Sequence, residues 1–391
     1  MNMFHNTGIE SYLSDESGIV GSASWIAFPQ SKADLCKLLH IVREAGEPLT
    51  IQGARTGLRG QAVPQGGYII NLTKMCAIEA FRFDSATSSA SVKLQAGVTL
   101  EQLDDWLRIK APTEFADDES KMHWERYCSW DGTLYFVPNP SEKTATLGGL
   151  IAEDAVGSYV LCGGDLAQNI LDKDVILSEN VIVSLTLALH PRPAQRYGLM
   201  SYHKDCAEAE AFVETMRGYA FGMESTQVLA AEWFDSVCRE ILADTQNTHL
   251  LPDAVSLWTE FAADSEDRLL TLLAHALELL EQADIVFADR ALVVAEGRDF
   301  NFLQNIRHTL TERLNEKDYG ALPLLLDCAV LPNVSAKAVS TIKEHLEGAE
   351  IPYALMGRAA TGHITVRLLP NEAHHAAANQ IIERLADELS Y

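Results

Sequence analysis

The sequence is short of positive charge. Its 30 lysines and arginines stand against 55 aspartates and glutamates, a formal net charge of −25. A field of that sign repels phosphate backbones and anionic lipid surfaces, which excludes broad nucleic-acid binding and charge-driven membrane docking. A local basic patch or a basic protein partner stays open. No uninterrupted apolar run reaches the roughly 20 residues of a membrane-spanning helix. The N-terminus, MNMFHNTGIESYLSDESG, lacks the basic-then-apolar order of a signal peptide. The seven cysteines (Cys36, Cys76, Cys128, Cys162, Cys206, Cys238 and Cys328) are odd in number, scattered, and form no CxxC pair. They offer no zinc or iron–sulfur spacing and suit reduced thiols in a cytoplasmic protein. Internal repeats and low-complexity tracts are also missing.

What is there is a folded protein of ordinary polarity, 47% hydrophobic and 22% charged. At 391 residues it exceeds what one compact core usually holds, so two domains are expected. Residues 33–46 have helical apolar spacing ending at Gly46, then PLTIQG and GYIINL (67–72) read as strands. SASVKLQAG (89–97) alternates as a half-buried strand, and Thr99 with Gln102 forms a capping box ahead of LEQLDDWLRI. Residues 113–142 read as irregular. DVIL and NVIVSLTLALH follow as strands, and PRPAQR (191–196) is the linker candidate. Beyond it, helical segments at 205–217, 265–283, 302–314 and 371–389 alternate with short strands DIVFA, PLLLDCAVL and HITVRLL (363–369). The fold expected is α+β, with domains 1–192 and 193–391.

Two segments carry candidate chemistry. Gly53-Ala54-Arg55-Thr56-Gly57-Leu58-Arg59-Gly60 follows a strand and places three glycines in eight residues. Successive backbone N–H groups in such a loop converge on an anion, and missing Cβ atoms let a pyrophosphate come close; the same composition also fits a plain turn. It is neither a Rossmann fingerprint nor a Walker loop, because no crossover-helix GxGxxG and no GK[ST] is present. Pro138-Asn139-Pro140-Ser141-Glu142-Lys143-Thr144-Ala145-Thr146-Leu147-Gly148-Gly149 makes a second small-residue surface, fit either to wrap an extended cofactor or to pack as a turn.

Together these segments resemble the flavin domain of the vanillyl-alcohol-oxidase/p-cresol-methylhydroxylase superfamily, in its D-lactate, glycolate and D-2-hydroxyglutarate dehydrogenase branch. GARTGLRGQAVP resembles that branch's GxGTGLxGGxxP. LQAGVTLEQLDDWL resembles its strand ending in AGV and the helix after it. PNPSEKTATLGGLIAEDAVG resembles PDPxxxxATIGGxIAxNAxG, and VIVSLTLALHPRP resembles IITEATLRLHPLP. The register holds over about residues 20–193. The resemblance implies a two-subdomain FAD-binding domain of the p-cresol-methylhydroxylase type followed by an α+β cap. It implies non-covalent FAD, with the pyrophosphate on Gly53, Ala54, Arg55, Thr56, Gly57, Leu58 and Gly60. The flavin would run past Pro138, Ser141, Thr146, Gly148 and Gly149, with Ile182 on the last strand.

The sequence also departs from that pattern. A block resembling GYDLTKLFIGSEGTLG is missing before VIVSLTL, and Asp154-Ala155-Val156-Gly157 puts a carboxylate at the place of an amide, where it would repel a pyrophosphate unless turned away. In the second half, Leu303-Gln304-Asn305-Ile306-Arg307 resembles LWxxR, Asp327-Cys328-Ala329-Val330-Leu331-Pro332 resembles DVAVP, and Gly357-Arg358-Ala359-Ala360-Thr361-Gly362-His363-Ile364-Thr365-Val366 resembles GHAGDGNLHV. Arg358 and Thr365 stand where metal-dependent relatives carry histidines, so no metal site is expected. His363 is taken to lie one pleat away from Thr365, on the opposite strand face. Arg307 and Arg358 are the candidates to grip an anionic substrate bidentately, with Arg55 and Arg59 flanking the glycine loop.

The resemblance implies an oxidoreductase moving a hydride from a small 2-hydroxy acid to flavin N5. Electrons would pass on to an electron-transfer protein or a quinone. The alternative is a non-catalytic or flavin-poor subunit pairing with a homologous catalytic subunit.

Overall fold

The computed structural model describes residues 4–242, 250–251, 254–282, 290–316 and 324–389. The expected strand DIVFA lies outside them. The fold is α+β, and the chain forms two compact units. The first is Met1–Gly157 with Gly164–Arg192; the second is Ser158–Gly163 with Pro193–Tyr391. The six residues Ser158–Gly163, inside the span 1–192, thus belong to the second unit.

The first unit holds two sheets. Strands β1 (Trp25–Ala27), β2 (Leu49–Gln52) and β3 (Tyr68–Asn71) make a parallel sheet in the order β1-β3-β2. Helix Lys32–Ala45 links β1 to β2, with Ser31 accepting from Asp34 N at its start and left-handed Gly46 (φ 66°) at its end. It buries Leu35, Leu38, Leu39 and Val42 against Ile70 and Leu72. The second sheet is antiparallel: β4 (Ile78–Asp84), β5 (Ser89–Gln95), β6 (Leu134–Tyr135), β7 (Ile170–Ile176) and β8 (Val181–Pro191). Its order is β4-β5-β8-β6, with β7 also on β8. The capping box of Thr99 and Gln102 forms.

The stretch 113–142, read as irregular, contains a helix, Asp118–Cys128. Only Ser120, Trp124 and Tyr127 of it are buried, too sparse a stripe among charges to register as periodic. Trp124 stacks on Trp106 with ring centroids 4.1 Å apart, and Phe81 meets both edge-on.

Among the described residues the second unit is built on one antiparallel sheet of seven strands: β9 (Gln195–His203), β10 (Thr226–Phe234), β11 (Val255–Ala263), β12 (Leu292–Ala295), β13 (Leu324–Ala329), β14 (Tyr353–Arg358) and β15 (His363–Leu368), in the order β12-β9-β11-β10-β14-β15-β13. Helices Cys206–Phe221, Glu266–Gln282, Ser335–Gly348 and His375–Glu388 cover one face through Leu199, Leu257, Phe261, Leu355, Ile364 and Val366. The other face packs Met200, Phe234, Trp258 and Met356 against Phe300, Leu303 and Leu310. The expected helix 302–314 is two helices, Arg298–Gln304 and Ile306–Glu316. The linker is shorter than PRPAQR, because β8 runs through Pro191 and β9 starts at Gln195.

A buried polar network fastens Ser158–Gly163 to this second face. Tyr159 is 2% exposed and donates its hydroxyl to Glu260 Oε2 at 2.7 Å. Arg196 Nη1 donates to the Tyr159 oxygen at 2.9 Å and Gln304 Nε2 at 2.7 Å; Trp258 Nε1 donates to Glu260 Oε1 at 3.0 Å. Arg196 also pairs with Glu296. Burial pushes the Glu260 carboxyl up, and hydrogen bonds from Tyr159 and Trp258 pull it back. Replacing Tyr159 with Phe leaves Arg196 and Gln304 short of an acceptor and Glu260 short of a donor. Tyr159→Phe is expected to lose ~2–4 kcal/mol in urea unfolding; a loss under ~1 kcal/mol would show that the segment is not held this way.

His203 ends β9 fully buried, its Nε2 2.9 Å from Ser201 Oγ. Burial pushes its pKa down to about 4. The unfolded chain takes up a proton below about pH 6.5 while the folded histidine stays neutral. This contribution is therefore intact above pH ~6.5 and lost as pH falls toward 4, by up to ~3 kcal/mol. Unfolding free energies of wild type and His203→Gln between pH 4.5 and 7 test this. The wild type should fall more steeply with acid; parallel curves would refute it.

Candidate functional site

In the first unit, the glycine loop is held by its carbonyls. The buried amide of Gln52, at the end of β2, donates to Tyr12 O at 2.9 Å and to Ala62 O at 2.8 Å. Asn71, at the end of β3, donates to Gly53 O at 3.1 Å. Arg55 takes left-handed backbone (φ 64°), and its guanidinium lies 4.5 Å from the Tyr12 ring centroid and donates to Ser11 O. The backbone N–H groups of Ala54, Arg55, Thr56, Gly57, Leu58 and Gly60 donate to no partner among the described residues. All six residues are half-buried. Unpaired donors gathered in one half-buried turn are rare without water or a ligand to accept them, and left-handed backbone among them makes an anion-binding concavity.

The second segment reaches the same place. A Cβ on Gly53 would lie 2.2 Å from Thr146 Oγ1, so only glycine lets the two loops touch. A Cβ on Gly57 would meet nothing nearer than 3.8 Å, so packing does not demand glycine there. Thr146 caps helix Leu147–Ala152, accepting from Gly149 N at 3.3 Å, and Gly148 N donates to Ala96 O at 2.9 Å. The N–H groups of Gly148 and Gly149 are thus committed within the protein, unlike those of 54–58. Pro138 is buried and Ser141 half-buried on the same segment. Ile182 lies in β8, partly buried against the cores of both sheets. Asp154 is exposed, with left-handed backbone (φ 48°). Its neighbour Glu153 is pushed up by burial and pulled back by the Arg59 charge. The backbone donors of the glycine loop suit a diphosphate-bearing group such as that of FAD, and Asp15 Oδ2 lies 3.8 Å from where a Gly57 Cβ would stand.

In the second unit, β10, β14 and β15 lay Glu232, Arg358 and His363 side by side in register. The carboxylate of Glu232 is 3% exposed. Its Oε1 lies 3.6 Å from Arg358 Nε, 3.8 Å from Arg307 Nη1 and 3.5 Å from Ser158 Oγ. Arg307 Nη2 donates to Thr365 Oγ1, which donates in turn to Asp327 Oδ1 at 2.7 Å. The structure thus brings Arg307 and Arg358 together, and the carboxylates of Glu232 and Asp327 match their charge. Burial, then the nearby Arg307 charge, presses the Arg358 pKa down while Glu232 and Asp327 support it; a guanidinium stays charged in such a setting. Burial and the two arginines likewise hold His363 below the usual histidine range.

One expectation is overturned. His363 and Thr365 are two residues apart on β15, so their side chains share a face rather than opposing each other. Among the described residues, no group of three or more His, Cys, Asp or Glu side chains is placed to hold a metal ion. Glu232, Glu260, Arg196 and Tyr159 were not picked out from sequence. A signal existed for the two glutamates: each interrupts an apolar run, VLAAEWF and SLWTEFAA, and a carboxylate inside such a run is buried only when paired.

A model of the FAD binding domain matches residues 23–117, and a model of the C-terminal domain of FAD linked oxidases matches residues 205–390. D-lactate dehydrogenase of Archaeoglobus fulgidus is 28% identical over 158 residues, 40% of this chain and 30% of that protein. D-lactate dehydrogenase of Anaerostipes hadrus is 32% identical over 179 residues, 45% of this chain and 32% of that protein. The matched stretches therefore span under a third of those relatives. Alkyldihydroxyacetonephosphate synthase, solved in two crystal forms, superposes with a TM-score of 0.66 over 99% of this chain and 77–78% of that one, at 10–11% identity, a likeness of fold. No helix among the described residues is long and apolar enough to cross a membrane. A glycine loop of free backbone donors in the first unit, under an FAD-binding model, and an FAD linked oxidase model on the second place the chain in the FAD-linked oxidase family of the vanillyl-alcohol-oxidase/p-cresol-methylhydroxylase superfamily, on its D-lactate-dehydrogenase-like branch, with FAD as cofactor.

Proposed function

We propose that the chain is an FAD-dependent dehydrogenase of small 2-hydroxy acids. The observation that carries this is the glycine loop, in which the N–H groups of Ala54, Arg55, Thr56, Gly57, Leu58 and Gly60 donate to no partner among the described residues, while its carbonyl flanks are held by Gln52 and Asn71. In this reading the loop holds the FAD pyrophosphate, while Pro138, Ser141 and Thr146 line the next part of the cofactor. Bound FAD would supply the hydride acceptor. Arg307 and Arg358 bind the substrate carboxylate, and a bidentate guanidinium grip fixes the orientation of the hydroxyl-bearing carbon. Thr365 and Asp327 hold Arg307 at its angle. The D-lactate dehydrogenase relatives support a small hydroxy acid as the substrate class.

A second reading, a non-catalytic or flavin-poor subunit that pairs with a catalytic homologue, is favoured by one feature. Glu232 and Asp327 already balance the two arginines, so an incoming carboxylate meets little net positive charge.

Visible spectra of the purified protein, before and after denaturation, should show flavin bands near one equivalent per chain. Anaerobic D-lactate, glycolate or D-2-hydroxyglutarate should then bleach them. Arg307→Lys keeps the charge but loses the fork, and should raise the half-bleaching concentration about tenfold or more. Flavin that none of these acids bleaches would favour the paired-subunit reading. Protein that takes up no FAD would sink the dehydrogenase reading and leave the paired-subunit one.

A further inference from the structure

The segment just ahead of the family-model match, which starts at residue 23, is built onto the glycine loop. Its own anchor is apolar: Ile9, Tyr12 and Leu13 pack with Ile26, Ile69 and Phe28. From that anchor it contacts the loop at several points. Glu16 N donates to Arg55 O at 3.2 Å, and Ser22 N donates to Pro64 O at 3.0 Å. Ser11 O and the Tyr12 ring receive the Arg55 guanidinium, and Tyr12 O accepts from Gln52. Asp15, 9% exposed, accepts from Ala62 N at 3.4 Å through Oδ2. Its other oxygen accepts from Ser17 N at 3.0 Å, closing a local turn. Every one of these contacts uses a loop carbonyl, a side chain or the N–H of Ala62. None uses an N–H of residues 54–58 or 60.

We propose that residues 11–22 are a strap that shapes the loop for a diphosphate before it binds, with Asp15 as the positioning residue that holds the loop's far end. This rests on the reading that residues 54–60 take the FAD pyrophosphate. A loop with its carbonyls tied back presents converging donors without ordering them at the moment of binding, and that ordering is a cost that otherwise weakens affinity. Asp15 holds Ala62 as an acceptor through Oδ2, so an amide oxygen turned to Ala62 N keeps that bond and gives up the Ser17 turn, while a methyl group keeps neither.

The test measures binding of FAD and of ADP to the full chain stripped of flavin, by fluorescence and calorimetry, for wild type, Asp15→Ala and Asp15→Asn, each checked for native unfolding temperature. Asp15→Ala should bind both FAD and ADP at least tenfold more weakly, and Asp15→Asn should stay within about threefold of wild type. Equal affinity of Asp15→Ala and wild type would overturn the proposal. Tighter binding by both variants would also overturn it, showing that Asp15 acts as a repelling charge instead. Should wild type itself take up neither FAD nor ADP, the pyrophosphate reading fails first and the strap loses its purpose with it.

Discussion

A backbone N–H removed from bulk water needs an acceptor, and the first unit is organised around a turn in which that need is left unmet. The carbonyls at both ends of the turn are taken by the buried amides of Gln52 and Asn71, each at the end of a parallel strand. Thr146 comes close enough to Gly53 that no side chain fits between them. The strands, the second loop and the segment ahead of β1 all fix the turn from the sides that do not carry its donors. The turn's N–H groups carry partial positive charge toward an anion, and the Asp15 carboxylate is the negative group set at its end.

The second unit meets the opposite constraint. Five charged side chains, Arg196, Glu232, Glu260, Arg358 and Arg367, sit on one sheet face at 7% exposure or less. Burial on that scale is tolerable only when each charge is answered. Glu260 is answered closely, by Tyr159, Trp258 and Gln304 within 3.0 Å. Glu232 is answered loosely, with its nearest donors at 3.5–3.8 Å. Both clusters touch the segment Ser158–Gly163, the tight one through Tyr159 and the loose one through Ser158. The difference in closeness separates the tight end of the face from the end proposed to meet substrate.

Much of the first unit was legible because its signals are local. Gly46, the Thr99–Gln102 box and the β-branched strands act over a few residues, and their elements formed as read. The strands β9, β10 and β11 were not read, although they are the longest in the second sheet. They are buried on both faces because helices cover both, so the two-residue alternation that marks a half-exposed strand is absent. The helix Asp118–Cys128 was hidden for the reverse reason, since it buries too few side chains to show a stripe.

The sequence by itself determined the family motifs, the glycine loop and the candidate arginines, because each is a property of neighbouring residues or of their order. Only the tertiary structure decided which donors of the loop stay free, that Arg307 and Arg358 share Glu232, and that Ser158–Gly163 belongs with the second unit. Those facts depend on strand register and on contacts between residues from 10 to 145 positions apart, which no local rule of sequence fixes together.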